Sequence, residues 1–207
     1  MSSAPFVIAP ASSPPVAALD DREEARRQLL AAAVVDADQA ATRDRIVTFL
    51  DAHDDALHRS CVPGHLTGSG AIVDLGTGRT LLIHHAKLER WLQPGGHADG
   101  DGNLGHVAWR EAWEETGLDD LRLVTPAIDV DVHEIPARGS DPDHLHLDLR
   151  FLVVTEGEPA PVANDEVLGA RWMEPDDAAV PAGSELQRLL LRARAVAAEV
   201  QLSSNPS

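Results

Sequence analysis

Between residues 94 and 118 a glycine-rich loop, Pro94 to Gly105, runs directly into an Ala/Glu/Trp segment that stops at Gly117. On a helix, Glu111, Glu114 and Glu115 fall at i, i+3 and i+4 and share one face. Three like charges so close repel one another and raise one another's pKa values unless a cation sits among them. Oxygen-only donors in this arrangement suit a hard divalent ion, Mg²⁺ or its close substitute Mn²⁺. A solvated acidic face would use the same residues, at a cost of only about a few tenths of a kcal/mol per pair. The neighbourhood favours the cation: the glycine loop leaves backbone groups accessible, and the segment ends on a glycine where a left-handed cap belongs. Asn103 is a candidate cap for the helix start.

The wider chain bounds what such a segment can serve. Its 207 residues suit one domain with a real core. With 17 Lys+Arg against 34 Asp+Glu the formal charge is −17, which leaves no basic stripe for a nucleic acid polymer and no attraction to an anionic membrane. Residues 97–120 hold seven acids against Arg110 alone. A small anionic substrate is therefore compatible with the charge, since recruited divalent ions bring the positive charge with them. Cys61, the single cysteine, cannot form an intramolecular disulfide or a zinc site by itself. No apolar run approaches the roughly 20 residues of a membrane span, and Met1 to Ala18 carries no basic residue before its short apolar patch. These features point to the cytoplasm.

Along the chain, residues 1–18 are rich in Ala, Ser and Pro without a period and read as a flexible leader. Asp20 or Asp21 can cap a first helix through Leu29 and Val34, and a second carries Ile46, Phe49, Leu50 and Leu57. Pro63-Gly64 ends it. Strand-like residues 70–75 and 80–84 flank a Gly76-Thr77-Gly78 turn and predict a hairpin. Residues 128–135, 145–155 and 167–173 read as further strands, and 184–200 as a closing helix. Strands mixed with helices around one core predict an α+β or α/β layered domain.

At this point the residues resemble a known family. Arg110-Glu111-Ala112-x-Glu114-Glu115-x-Gly117-Leu118, preceded by Gly96, is similar to the Nudix box, G-x5-E-x7-R-E-U-x-E-E-x-G-U with U aliphatic. Trp91 to Gly96 resembles the strand and loop before the box, and Glu166 with Trp172 the late strand. The resemblance implies an α/β/α sandwich with a mixed sheet over residues 63–202, to which residues 19–62 look like a helical extension. One position departs: the first Glu of the pattern is Gly102 here, and His97 follows the Gly-Gly pair. In the family that Glu helps to anchor the box arginine, so Arg110 would need another partner, and Asp99 or Asp101 could substitute from the same loop. Gly-Gly-His loops mark a variant of the box.

The resemblance implies a Mg²⁺-dependent hydrolase in which Glu111, Glu114 and Glu115 hold the metal, Glu115 foremost. The backbone carbonyl of Gly96 would complete the shell by resemblance alone. Glu111 and Glu115, with Arg110, would form the catalytic centre, and Glu166 lies on a loop where some members carry the general base. Metal ions would neutralise charge on the phosphoryl oxygens and lower the pKa of the attacking water.

A second cluster lies downstream. Strand alternation over 144–149 puts His144, His146 and Asp148 on one face and three leucines on the other. Together with His97, that polar face could bind substrate phosphate or a metal, act as acid and base, or simply face solvent. His133, alone on its strand, reads as structural or peripheral. Trp109 and Trp113 read as core packing on the box helix, whereas Trp91 and Trp172 could stack on a base or pack at the rim.

The leading expectation is hydrolysis of a nucleoside diphosphate linked to another moiety, or of a related organic pyrophosphate, in a protein compatible with homodimerisation through the N-terminal helices. The histidines invite a second reading, an isopentenyl-diphosphate isomerase-like enzyme, although the only cysteine lies before the first strand. Gly102 invites a third, a catalytically silent ligand-binding protein.

Overall fold

The structure is a computed structural model that describes residues 6–9, 17–139, 142–162 and 167–204. Two capped helices come first. The Asp21 carboxylate accepts from the Glu23 amide and starts α1 (Arg22–Ala31); Asp36 accepts from the Gln39 amide and starts α2 (Ala37–Ala52). Leu29, Ile46 and Leu50 are buried in the same core as the box helix, so the two helices are built into the domain rather than hung from it.

The expected hairpin is present. Strand β2 (Gly64–Asp74) pairs antiparallel with β3 (Thr80–His85) through Ile72↔Leu81 and Val73↔Thr80. In the turn the Asp74 carboxylate accepts from the Thr77 amide at 2.8 Å. However, β2 begins at Gly64, six residues before the predicted start. After β4 (Arg90–Leu92), β5 (Gly95–His97), α3 (Leu104–Thr116) and β6 (Arg122–Ile135) comes β7 (His144–Thr155), which pairs parallel with β2 from Gly64↔Leu145 to Asp74↔Thr155. Then follow β8 (Val167–Met173) and α4 (Glu185–Ser204).

The sheet order is β1-β6-β7-β2-β3-β4, with β5 also on β2 and β8 on β3. Here β1 is Val7–Ile8, an edge strand pairing with Thr125 and Val124. It falls inside residues 1–18, read above as a leader; backbone pairing with β6, including Ala9 N–H to the Leu123 carbonyl at 2.7 Å, corrects that reading for residues 6–9. Alternation then sorts the central strands. Leu66, Ile72, Leu147, Leu149 and Phe151 face α1, α2 and α3; Ala71, Val73, Leu152 and Val154 face Leu189, Ala193 and Val196 of α4. A helix layer on each face of a mixed sheet is the expected sandwich. Among the described residues no helix is long and apolar enough to cross a membrane.

Two glycines set how closely α3 approaches the sheet. A Cβ on Gly68 would lie 2.6 Å from the Leu104 carbonyl oxygen, and one on Gly70 3.1 Å from that of Ala108. Any side chain there would lever the box helix off β2.

Candidate active site

The box helix is held at both ends. The Asn103 side chain accepts from the His106 amide at 3.1 Å, and Gly117 closes the helix in the left-handed conformation at φ 63°, its N–H donating to the Trp113 carbonyl. With Val107, Ala108 and Ala112 packed inward, Glu115 is also brought inside, 5% exposed. Its Oε2 accepts the Gly95 N–H at 3.2 Å. One turn earlier Glu111 lies directly on Gly96, where a Cβ would come within 2.7 Å of Oε2 and closer still to Oε1. The Gly95-Gly96 pair is thus the floor on which two of the three carboxylates rest. Glu114 sits at the rim, its side chain 44% exposed.

Arg110 answers the repulsion within this group. Its guanidinium meets Glu111 Oε1 at 2.9 Å and Glu114 Oε2 at 3.3 Å, and reaches towards the His97 carbonyl at 3.5 Å. Neither aspartate expected to hold it does so. Asp99 is paired with Arg59 at 2.5 Å, which together with that charge holds its carboxyl below the usual range despite partial burial. Asp101 meets His106 Nδ1 at 2.6 Å and accepts from the amides of Leu19 and Asn103, both at 2.9 Å. The reason for Gly102 is also visible. A Cβ there would come within 2.6 Å of the Asp21 carbonyl carbon, and the Gly102 N–H donates to the Leu19 carbonyl at 2.7 Å. The segment leading into α1 fills the space a glutamate side chain would need.

On the α4 side of the sheet, the strand registers line polar residues into three rungs. His65, His146 and His133 form one, Thr67, Asp148 and Asp131 the next, and Ser69, Arg150 and Asp129 the third. Asp148, 2% exposed, accepts from the Thr67 and Ser69 hydroxyls and from Arg150 Nε, all within 2.9 Å. Its oxygens are thus engaged inside the sheet. Arg150 also meets Asp131 at 2.7 Å and Asp129 at 3.7 Å. Burial works against the Asp131 charge, but His133 and Arg150 outweigh it and hold the carboxyl at about 2; for Asp129 burial wins and the pKa rises.

His97, on β5 beside Thr67, joins His144 and His146 as expected, and two further histidines complete the group. His65 was missed by the sequence reading because its strand was started at Gly70; the alternation His65, Thr67, Ser69 was the available signal. His133, read as peripheral, stands 5.5 Å from His146, ring to ring, with Nδ1 2.8 Å from Asp131. Burial first, then the neighbouring imidazoles His97 and His144, pushes His65 down to about 4 against a weaker pull from the Cys61 backbone. Burial, then His97, His65 and His133, pushes His146 down to about 2. His97 is lowered too, by burial and then Arg59. Burial thus disfavours the charged form of all three rings.

The aromatic residues divide. Trp109 packs on the core and donates Nε1–H to the Leu121 carbonyl at 2.9 Å, as expected. Trp113 does not: it is 45% exposed, because the helix turns Ala112 and Glu115 inward instead. Trp172 packs on the core with Nε1 bonded to the Pro159 carbonyl, and Trp91 carries Arg171 over its ring at 5.3 Å. Glu166 lies outside the described residues.

A family model described as NUDIX domain matches residues 64–193. Among solved structures the chain is similar to a C. elegans Ap4A hydrolase in a binary complex, with TM-score 0.50 and 20% identity over 63% of this chain and 95% of that one. It is also similar to a MutT NUDIX hydrolase from Burkholderia pseudomallei, with TM-score 0.47 and 27% identity over 62% and 97% of the two chains. An E. coli dihydroneopterin triphosphate pyrophosphohydrolase matches with TM-score 0.48 and 19% identity over 63% and 91%. The first of these likenesses supports the fold.

Proposed function

Because the chain belongs to the NUDIX domain family of hydrolases, we propose that it cleaves the pyrophosphate bond of a nucleoside diphosphate linked to another moiety, or a related organic pyrophosphate, by water attack on phosphorus with Mg²⁺. The observation that carries this reading is the seating of Glu115 and Glu111 on the Gly95-Gly96 floor. The donor set fits the ion: carboxylate oxygens suit Mg²⁺ or Mn²⁺, and the bare Gly96 leaves room for Glu111 that any side chain would take. Glu111, Glu114, Glu115 and the Gly96 carbonyl would hold it. Once bound, the metal supplies positive charge at the phosphoryl oxygens and a more acidic water.

The chain's own groups do the rest. Buried Glu115 is fixed in place by the Gly95 amide, which limits the freedom lost on binding. Arg110 bridges Glu111 and Glu114, offsetting their repulsion, and reaches the β5 backbone at the His97 carbonyl. His97, on the strand that carries Gly96, is assigned to the substrate's phosphates. Asp148 is assigned a positioning role through Thr67 and Ser69, two of the three β2 residues paired with β5. Glu166 is assigned as general base. Gly102 gives no support to a catalytically silent protein, because chain packing explains it.

A turnover screen over nucleotide sugars, ADP-ribose, dinucleoside polyphosphates and (d)NTPs, with Mg²⁺ and Mn²⁺, tests the proposal. Glu115→Gln should lose at least about 10²-fold in rate while keeping its melting temperature. Full activity in that variant would sink the assignment.

A further inference from the structure

Five of the ten histidines gather on one face of the sheet. The parallel register sets His65 opposite His146, and the antiparallel register sets His133 on the other side of His146. Ring centroids separate His65 from His97, His144 and His146 by 4.8, 4.9 and 4.9 Å. Three of these rings, His65, His144 and His146, bring one nitrogen each to within 4.8 Å of one another.

Packing alone does not account for this. His65 is 3% exposed, yet among the described residues neither of its ring nitrogens makes a hydrogen bond of ordinary geometry, the Cys61 backbone giving only a weak pull, and the buried Nε2 of His146 meets no partner. Buried polar atoms are ordinarily satisfied, and an unmet group calls for an explanation. Mutual hydrogen bonding does not provide it, since the rings meet by their faces and edges at about 5 Å rather than by N–H to N contacts. The bond that His144 makes on its far side also favours a ligand. His144 Nδ1 lies 2.9 Å from the Pro142 carbonyl, which takes a proton on that nitrogen and leaves the lone pair on Nε2. A backbone carbonyl holding one nitrogen so that the other is free is how metal-binding imidazoles are oriented.

We propose that His65, His144 and His146 bind one divalent transition-metal ion of the zinc class, at a site separate from the carboxylates of α3. Imidazole nitrogen suits Zn²⁺, Co²⁺ and Ni²⁺, whereas Mg²⁺ takes oxygen, so the two clusters sort different ions. Tetrahedral zinc at about 2.05 Å sets its nitrogens about 3.3 Å apart. The three rings must therefore close by at most about 1.5 Å, within reach of side-chain rotation by the half-buried His144 and His146. Three protein ligands leave a coordination position for water or an anion. The ion would sit on β2 two residues from Thr67, which pairs with His97, and so brace the strand pair that carries Gly96. The site does not depend on the reaction proposed above.

The test uses the full chain stripped of metal with a chelator, loaded with Zn²⁺ or Co²⁺, desalted and assayed for metal. Wild type and Glu115→Gln should both retain about one Zn²⁺ per chain, and cobalt loading should give the intense visible absorption of a tetrahedral nitrogen site. His144→Ala and His146→Gln should weaken retention at least about 10-fold and abolish the rise in melting temperature that Zn²⁺ gives wild type. His144 is partly exposed, so its variant remains a usable probe should changes nearer the core disturb folding. Failure of wild type to retain Zn²⁺ would overturn the proposal. So would retention that is lost in Glu115→Gln and kept in both histidine variants, which would place the ion on α3.

Discussion

A single methyl group at Gly96 separates the role of the glycine floor from its contribution to the fold. The added Cβ would lie 2.7 Å from Glu111 Oε2 and closer to Oε1 and Cδ, against 3.4–4 Å for ordinary contact. The carboxyl must therefore withdraw by about 1 Å, a displacement that for a positioned group costs about 10²-fold in rate, or about 2.7 kcal/mol. The obstruction is the end of a flexible side chain, and Gly96 is not among the glycines at positive φ. Gly96→Ala should accordingly keep its stability to within about 0.5 kcal/mol. Gly68→Ala is the contrasting case: its Cβ meets the Leu104 carbonyl oxygen at 2.6 Å and Val107 Cβ at 3.0 Å, on a helix that cannot bend aside. It should lose about 1–3 kcal/mol of stability as well as activity. Thermal melts alongside steady-state turnover with Mg²⁺ on the best substrate of the screen give both readings. Gly96→Ala retaining activity within about threefold, or melting as low as Gly68→Ala, would refute the reasoning.

Arg150→Met should cost about 3–5 kcal/mol, because Arg150 is 5% exposed and its loss strands Asp131 and Asp148 as buried charges. Asp131, held at about 2 in the native chain, then rises above its unfolded value, so the deficit should grow as pH rises and fade only as pH falls towards about 2; equal deficits in denaturant melts at acid and alkaline pH would contradict this. Cys61 is 2% exposed, with its thiol pushed up to about 11 by burial and then Asp55. A thiol reagent at mildly alkaline pH should label it only on unfolding, and prompt labelling of the native chain would count against that environment.

Local rules carried much of this structure in the sequence. The Asp21 and Asn103 caps, the Gly117 stop and the β2–β3 hairpin each depend on a few neighbouring residues, and each is where the sequence puts it. The grouping of Glu111 and Glu115 was legible for the same reason, since helical period alone puts them together. What could not be read depends on pairings across the chain. The first half of β2 has glycines and polar residues where a strand is sought by apolar alternation, and its extended state is fixed by β7, some 80 residues later, along with α3 packing on Gly68 and Gly70. His65 became visible only with that parallel register. Gly102 shows the same limit at the site itself. By pattern it looks like a lost anchor, but the anchor's place is occupied by the Leu19–Asp21 backbone, which binds the loop through the Gly102 amide and the Asp101 carboxylate. Arg110 then turns to Glu111, Glu114 and the His97 carbonyl. The Leu19–Asp21 backbone thus takes the place that the pattern gives to a side chain, so the segment leading into α1 helps to shape the loop that starts α3.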